Sequence, residues 1–430
     1  MKKSRKQSRR KKTNYLGLFF GTLVLCCGVG IVTIFVMKAM QDGEFSFTEF
    51  QMAQGTQSGE ADASTIAEGE LIWESGAFEE TAAETAATET VEENYEVQVN
   101  ENGKITLVPA PEQESVQLLF AGDVLFDDSY SPMAMLRRRA GGITECFSAE
   151  TFDVMKSADV FMINNEFTYT SRGTPTEGKT FTFRSNPENV GLLEEMGVDI
   201  VSLANNHAYD YGEISMLDTL DTLNAAQMPY VGAGHDVAEA EESVIFQFGD
   251  VKIGYLSATQ IERMSNPDTK GATPTSAGVF RCLDSAALIN RVKELETEAD
   301  FTVVYVHWGT ESTTELDYRQ TQQAQELVDA GADLIIGDHP HILQRIDVID
   351  HVPVIYSLGN YWFNSSTLNS CLVEATVTDG ALTAFRFIPA RQSHCYTEVL
   401  SGQDYVNVLN QMRTLSTGIT IDDEGYVNIN

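Results

Sequence analysis

Near the C-terminal end, Gly337-Asp-His-Pro-His-Ile342 sets two imidazoles two positions apart, directly after the apolar run Leu334-Ile335-Ile336. A short buried strand that ends in Gly and then His-Pro-His aims both rings at one point. Imidazole nitrogen is a ligand for zinc, iron, manganese or nickel. With 7 histidines in 430 residues, two within three positions stand above background. Other ligand-type side chains also follow apolar runs. Asp123 follows Leu118-Leu-Phe-Ala-Gly, and Glu166 follows Phe161-Met-Ile-Asn-Asn. Asn205, Asn206 and His207 follow Ile200-Val-Ser-Leu-Ala, and His307 ends Val303-Val-Tyr-Val. In open α/β sheets, sites form at such strand ends. Mixed nitrogen and oxygen ligation, with a carboxylate able to bridge, suits two divalent metals about 3.5–4 Å apart.

Each residue also has a plainer use. Asp123 could cap a helix and Glu166 could sit in solvent. Asn205 and Asn206 are common turn formers. His307, beside Trp308, could fill the core, and His339 and His341 could be loop histidines without a metal. One shared site accounts for all of them together.

The elements that must position these residues repeat as strand, loop, helix. Strands are expected at Val116–Ala121, Val160–Ile163, Val198–Leu203, Thr302–His307, Ile346–Ile349 and Val354–Tyr356. Helices are expected at Pro187–Met196 with Asn186 as cap, Glu213–Ala226, Ala286–Glu296 and Tyr318–Ala330, the last closed by Gly331. Gly249-Asp250 and Asp379-Gly380 read as tight hairpin turns. This alternation implies an α/β, layered domain over residues 113–391. Residues 392–430 read as a C-terminal extension with a helix-like stretch at Tyr405–Leu415.

The N-terminal part is of another kind. Residues 1–12 carry eight Lys and Arg and no acid, and Tyr15 to Met37 is 23 residues without a charge. A bilayer-spanning helix needs about 20. The basic flank places residues 1–14 in the cytoplasm and the bulk of the chain outside. An uncleaved single-pass anchor over 15–37 is favoured over a cleaved signal peptide, because Val36-Met-Lys-Ala-Met40 is a poor cleavage site. Residues 39–112 hold 17 acids against Lys104. The whole stretch 38–112 reads as a disordered, self-repelling acidic stalk.

The formal net charge is −35. An exterior this acidic excludes a nucleic-acid partner, and it repels a polyanion unless a cation sits in the site. Cys146, Cys282, Cys371 and Cys395 are far apart with no C-x-x-C, which excludes a zinc ribbon. Disulfides and free buried thiols both remain open for them.

Six stretches carry a resemblance: Phe120-Ala-Gly-Asp123, Asn164-Asn-Glu166, Ala204-Asn-Asn-His-Ala-Tyr-Asp-Tyr-Gly212, Val306-His-Trp-Gly-Thr-Glu311, Gly337-Asp-His-Pro-His-Ile-Leu-Gln344 and Ser357-Leu-Gly-Asn360. Over about residues 117–390 the chain resembles the CapA family of poly-γ-glutamate capsule synthesis proteins. The domain of that family is similar to calcineurin-like metallophosphoesterases. The resemblance implies an α/β sandwich of metallophosphoesterase type. It implies one metal held by Asp123, Glu166 and His341, and a second held by Glu166, Asn206, His307 and His339, with Glu166 bridging. The ions would be one or two divalent cations of the Mn, Fe or Zn class. His207 would be the general acid, with Asp210 orienting it.

One departure stands out. Metallophosphoesterases usually carry a His two residues after the first Asp, and here that position is Leu125. The bridging acid is also Glu rather than Asp. The first metal site is a ligand short, with Asp127 or Asp128 as candidates to complete it and a single tight metal as the alternative.

Two classes of function follow. One is a metal-dependent hydrolase facing the exterior, acting on a phosphoester, a poly-γ-glutamate amide or another wall polymer. The other is a non-catalytic polymer-binding or export subunit beside a membrane synthase, whose metal grips the polymer's carboxylates.

Overall fold

In the computed structural model, residues 98–99, 105–261 and 270–429 are described. The expected membrane segment and most of the expected stalk lie outside these residues. No helix among the described residues is long and apolar enough to cross a membrane.

Period-two alternation builds two sheets that share a core. In the strand Ser115–Val124, Leu118 and Phe120 face one side and Leu119 and Ala121 the other. In Val160–Asn165, Val160 and Met162 oppose Phe161 and Ile163 in the same way. The first sheet runs Tyr396–Val399, Ala381–Ser393, Leu368–Thr378, Ser115–Val124, Val160–Asn165, Ile200–Ser202, Tyr230–Val231. Asn360–Trp362 also pairs with Ser115–Val124. The second runs Gln98–Val99, Ile105–Ala110, Ser243–Phe248, Val251–Thr259, Phe301–His307, Leu334–Asp338, Val352–Ile355, Ile346–Ile349. The central strands of both sheets are parallel. Parallel strands are covered on both faces, so they read as nearly continuous apolar runs.

The inner faces meet through Phe120 and Met162 of one sheet and Tyr255 and Val303 of the other. The Tyr305 hydroxyl crosses between the sheets to donate to the Ala121 carbonyl at 3.1 Å. Helices Ala149–Ser157, Gly191–Met196 and Glu213–Ala225 cover the outer face of the first sheet through Met155, Leu193, Met216 and Leu220. Helices Ala286–Glu296 and Tyr318–Asp329 cover the second through Leu288, Val292 and Leu327. The result is a sheet-rich mixed α/β fold, layered helix, sheet, sheet, helix.

Four details differ from the sequence expectations or sharpen them. Ile105–Ala110, assigned by composition to the stalk, is a strand parallel to Ser243–Phe248. Averaged over the acidic stretch, its local run of β-forming residues is diluted out of sight. Residues past 391 are not a separate extension. Tyr396–Val399 pairs with Ala381–Ser393, and the helix Gly402–Leu415 places Val408, Leu409 and Met412 in the core between the sheets. The expected helix Pro187–Met196 begins as a 3-10 turn, Pro187–Val190, and becomes α-helical only at Gly191–Met196. Asn186 accepts from the Glu188 amide, as an N-cap does. The four cysteines outside the N-terminal segment are buried, and no disulfide joins them.

Candidate functional site

The parallel strands of the two sheets deliver their C-terminal ends to one place. Asp123 is the next-to-last residue of Ser115–Val124, Glu166 follows Val160–Asn165, and Asn206 and His207 follow Ile200–Ser202. From the other sheet come His307, at the end of Phe301–His307, and His339 and His341, after Leu334–Asp338. Two glycines permit the approach. A Cβ at Gly122 would collide with the Gly359 carbonyl, and one at Gly337 with the Trp308 indole and the Tyr356 carbonyl. His339 and His341 themselves sit at φ 94° and 60°. Non-glycine residues seldom occupy that region, and each costs on the order of 1–3 kcal/mol there. Surrounding contacts hold this turn so that both rings face inward.

All the sequence-predicted ligands converge. The ligand atoms of Glu166, His307 and His339 form one group, and those of Asp123, Glu166 and His341 another, each within 4.8 Å of one another. Asn206 Oδ1 lies 2.7 Å from His307 Nε2, and His339 Nδ1 lies 3.1 Å from the same nitrogen. His341 Nδ1 is 2.9 Å from Asp123 Oδ2. Two further groupings, Asp123-His307-Asp338 and Glu311-His339-His341, meet the same distance limit. The first is weakened because Asp338 Oδ1 already holds His307 Nδ1 at 2.8 Å, and the second because Glu311 is exposed.

The residues fit a cation. Glu166 Oε1 is fully buried and has no hydrogen-bond partner. It lies 3.8 Å from His207 Nε2 and 3.9 Å from His307 Nε2, too far for hydrogen bonds. A buried, orphaned carboxylate oxygen is costly unless something positive meets it. Electrostatics without an ion show the same strain. Burial, followed by the Asp123 and Asp338 charges, pushes Glu166 well above the usual carboxylate range. Burial pushes Asp338 up as well. For Asp123 burial pushes upward, but the His341 hydrogen bond and neighbouring imidazoles together hold it below its ordinary value. Burial, then His339, drives His307 well down, and burial, then His341, lowers His339 to about 3. Neutral imidazoles with free lone pairs are the form that ligates metal.

Around the ligands lies a supporting set that motif reading left without roles. Asn164 Nδ2 donates to Asp123 Oδ1 at 2.9 Å, and Asn205 Nδ2 donates to Asn164 Oδ1 at 2.9 Å. Asp338 orients His307, the arrangement by which a carboxylate fixes a ligating imidazole. Asn360 Oδ1 stands 2.8 Å from His341 Nδ1. Asn164, Asp338 and Asn360 all lie inside the six matched stretches, so a signal was present. Lys179 had none: it sits in an irregular loop, and only the fold brings it to Asp210.

His207 Nδ1 is 2.7 Å from Asp210 Oδ2, and Asp210 also accepts from the Phe183 amide at 2.6 Å and pairs with buried Lys179. The orienting role expected for Asp210 thus has its geometry. Burial lowers His207, with the Asp210 charge opposing. Neither Asp127 nor Asp128 completes the first metal site. Asp127 accepts from the Ser129 and Arg184 amides, and Asp128 from Arg137 and the Asn186 amide. Leu125 is buried in the apolar layer beneath the first sheet.

The chain is 30% identical over 284 residues to the PGA biosynthesis protein CapA of Bacillus subtilis (strain 168), covering 63% of this chain and 72% of that one. It is 31% identical over 218 residues to the capsule biosynthesis protein CapA of Bacillus anthracis, covering 49% of this chain and 52% of that one. The crystal structure of a hypothetical protein from Thermus thermophilus is similar over 64% of this chain and 100% of its own. That similarity, at 15% identity and a TM-score of 0.40, is too distant to argue from. Residues 117–365, more than half of the chain, match the family described as bacterial capsule synthesis protein PGA_cap, and to that family the chain belongs.

Proposed function

We propose that this protein acts in the synthesis or export of poly-γ-glutamate or a related anionic surface polymer, through a divalent-metal centre. Asp123, Glu166, Asn206, His307, His339 and His341 would hold one or two ions of the Mn, Fe or Zn class. The observation that carries this reading is Glu166 Oε1, buried, unpartnered and flanked by imidazole nitrogens. A bound divalent cation would supply Lewis acidity and attract an anionic group into an otherwise acidic protein.

The resemblance of the matched stretches to metallophosphoesterases, together with candidate ligands at the C-terminal ends of strands from two facing sheets, supports a hydrolytic reading. Fold alone does not name a reaction, so the remaining support comes from the chain's own groups. With Nδ1 donating to Asp210, His207 presents the lone pair of Nε2 beside Glu166. It can take a proton there and pass it to a leaving oxygen. Asp210, neutralised by Lys179, keeps the ring in that tautomer.

The second reading, a non-catalytic polymer-binding or export subunit of a membrane synthase, is favoured by one observation. Leu125 is apolar and buried where a further ligand would stand, and Asp127 and Asp128 are committed elsewhere. In both readings the domain works outside the cell on a single-pass anchor at 15–37, as the basic flank and the 23 uncharged residues support.

Metal content, measured by elemental mass spectrometry on the full chain, separates the readings. Two equivalents of a transition metal, lost in Glu166→Ala and His339→Ala, support the hydrolytic centre. One equivalent favours the binding subunit. No metal after metal-replete preparation overturns both metal readings.

A further inference from the structure

A cavity of about 600 Å3 is lined by none of the residues that converge at the candidate metal centre, yet residues next to its lining pack against them. Arg184, Tyr211, Ser129 and Ser171 are among the residues that line it. It is joined to the centre through neighbouring residues. Phe183, next to Arg184, packs against the His207 ring in a tilted pair with centroids 4.3 Å apart. Tyr211 follows Asp210, which holds His207. Phe183 also packs on Phe363, which in turn packs on His341.

Arg184 is the unusual member. Its backbone amide is fixed by Asp127 Oδ2 at 2.7 Å, and its guanidinium lies 4.5 Å from the centroid of the Tyr211 ring. Among the described residues that guanidinium makes no hydrogen bond and no ion pair. Two acids line the same cavity, yet neither takes it. Asp127 is occupied by the Ser129 and Arg184 amides, and Asp128 by Arg137 and the Asn186 amide. In a chain of net charge −35, a half-buried cation left free of abundant carboxylates has a fork of donors unspent. A guanidinium resting over an aromatic ring is held in place without spending its N–H donors, and those donors can receive a carboxylate with two parallel hydrogen bonds. The Ser171 hydroxyl lines the same cavity, whereas the Ser129 hydroxyl is already given to Asp127 Oδ1.

We propose that this cavity is a carboxylate subsite, in which Arg184 grips a free carboxylate of an anionic polyamide chain while another part of that chain lies at the metal centre. The inference rests on the reading of the centre as one that takes an anionic polymer, and it specifies which group of that polymer is read and by what.

The test uses the full chain and a fluorescent γ-linked glutamate oligomer, with binding followed by anisotropy. Arg184→Gln should weaken binding by about 10- to 100-fold, the usual loss for a charge-assisted hydrogen-bonded pair. Arg184→Lys should fall between, because an ammonium lacks the fork. Both variants should keep the metal content and melting temperature of wild type, since the guanidinium supports no internal bond. A methyl-esterified oligomer should bind wild type and Arg184→Gln alike. Equal binding of the free acid by wild type and Arg184→Gln overturns the subsite. So does tighter binding of inorganic polyphosphate than of the glutamate oligomer. Wild type that binds no oligomer overturns both the subsite and the polymer reading. Loss of metal in Glu166→Ala with oligomer binding intact overturns the placing of the oligomer at the metal centre while leaving the Arg184 subsite standing.

Discussion

At the scale of the residue, the site is a set of buried polar groups each of which depends on its neighbour. The His307 ring is satisfied on one side by Asp338 and faces the cluster with the other. Lys179 and Asp210 form the sharpest dependence, with side-chain exposures of 5% and 0%. Removing one partner of a buried ion pair leaves a charge unpaired, which costs about 3–5 kcal/mol. Lys179→Met should therefore destabilise the fold by that amount in chemical denaturation. The double variant Lys179→Met, Asp210→Asn should recover most of it, because no bare charge remains. A single variant that unfolds at the wild-type denaturant midpoint would show that the pair is not closed in solution.

At the scale of the element, helices and strands are tied to one another at their ends. Tyr318–Asp329 starts with Asp317 and Gln320 in a reciprocal capping box, and Gln320 reaches on to Gln344 at 2.9 Å. Its far end leads to Asp333, whose carboxylate accepts from the Thr302 amide at 2.8 Å and so pins the start of the neighbouring strand. Burial raises Asp333 from 3.8 to about 6, with the Thr302 hydrogen bond opposing and Glu296 adding. The native state thus holds this proton more tightly than the unfolded chain. Stability from the group is full below about pH 4 and is lost as pH rises through about 6. Asp333→Asn keeps an acceptor for Thr302 and removes the titration. The melting temperature of the variant relative to wild type should climb between about pH 4 and about pH 7 and be flat above. A difference that stays constant with pH would rule out this account.

At the scale of the whole molecule, the folded part takes in more chain than its motifs suggest. Val108, 2% exposed, belongs to the core between the sheets, and Ile105–Ala110 pairs residue by residue with Ser243–Phe248. A chain beginning at 113 would lose that strand and uncover Phe246 and Phe248 beneath it. Burying one such side chain contributes about 1.5–3 kcal/mol. The truncated chain should melt at least ~5 °C below one beginning at 97. Equal melting temperatures would mean that the strand adds nothing to the fold. The C-terminal helix Gly402–Leu415 makes the same point from the other end, since Met412 and Leu409 complete the same core.

Much of this was legible in the chain by itself. Apolar runs marked the parallel strands, because strands covered on both faces must be apolar throughout, and the residue after each run was the candidate ligand. That local rule was enough to name Asp123, Glu166, Asn205, Asn206, His207, His307, His339 and His341, and the family resemblance then singled out Asn206 as a ligand and suggested Asp210 as the partner of His207. What a local rule could not reach was anything set by distance in space. The strand Ile105–Ala110 was hidden by the acids around it, and its partner lies more than a hundred residues on. Lys179 and Arg184 stand in a stretch with no periodicity, so nothing in their spacing says which finds a carboxylate. Only the folded chain decides that Lys179 spends its charge on Asp210 while Arg184 keeps its own. The reason is physical: strand and helix patterns are written in neighbouring residues, whereas the partner of a buried charge is chosen by packing between segments far apart in sequence.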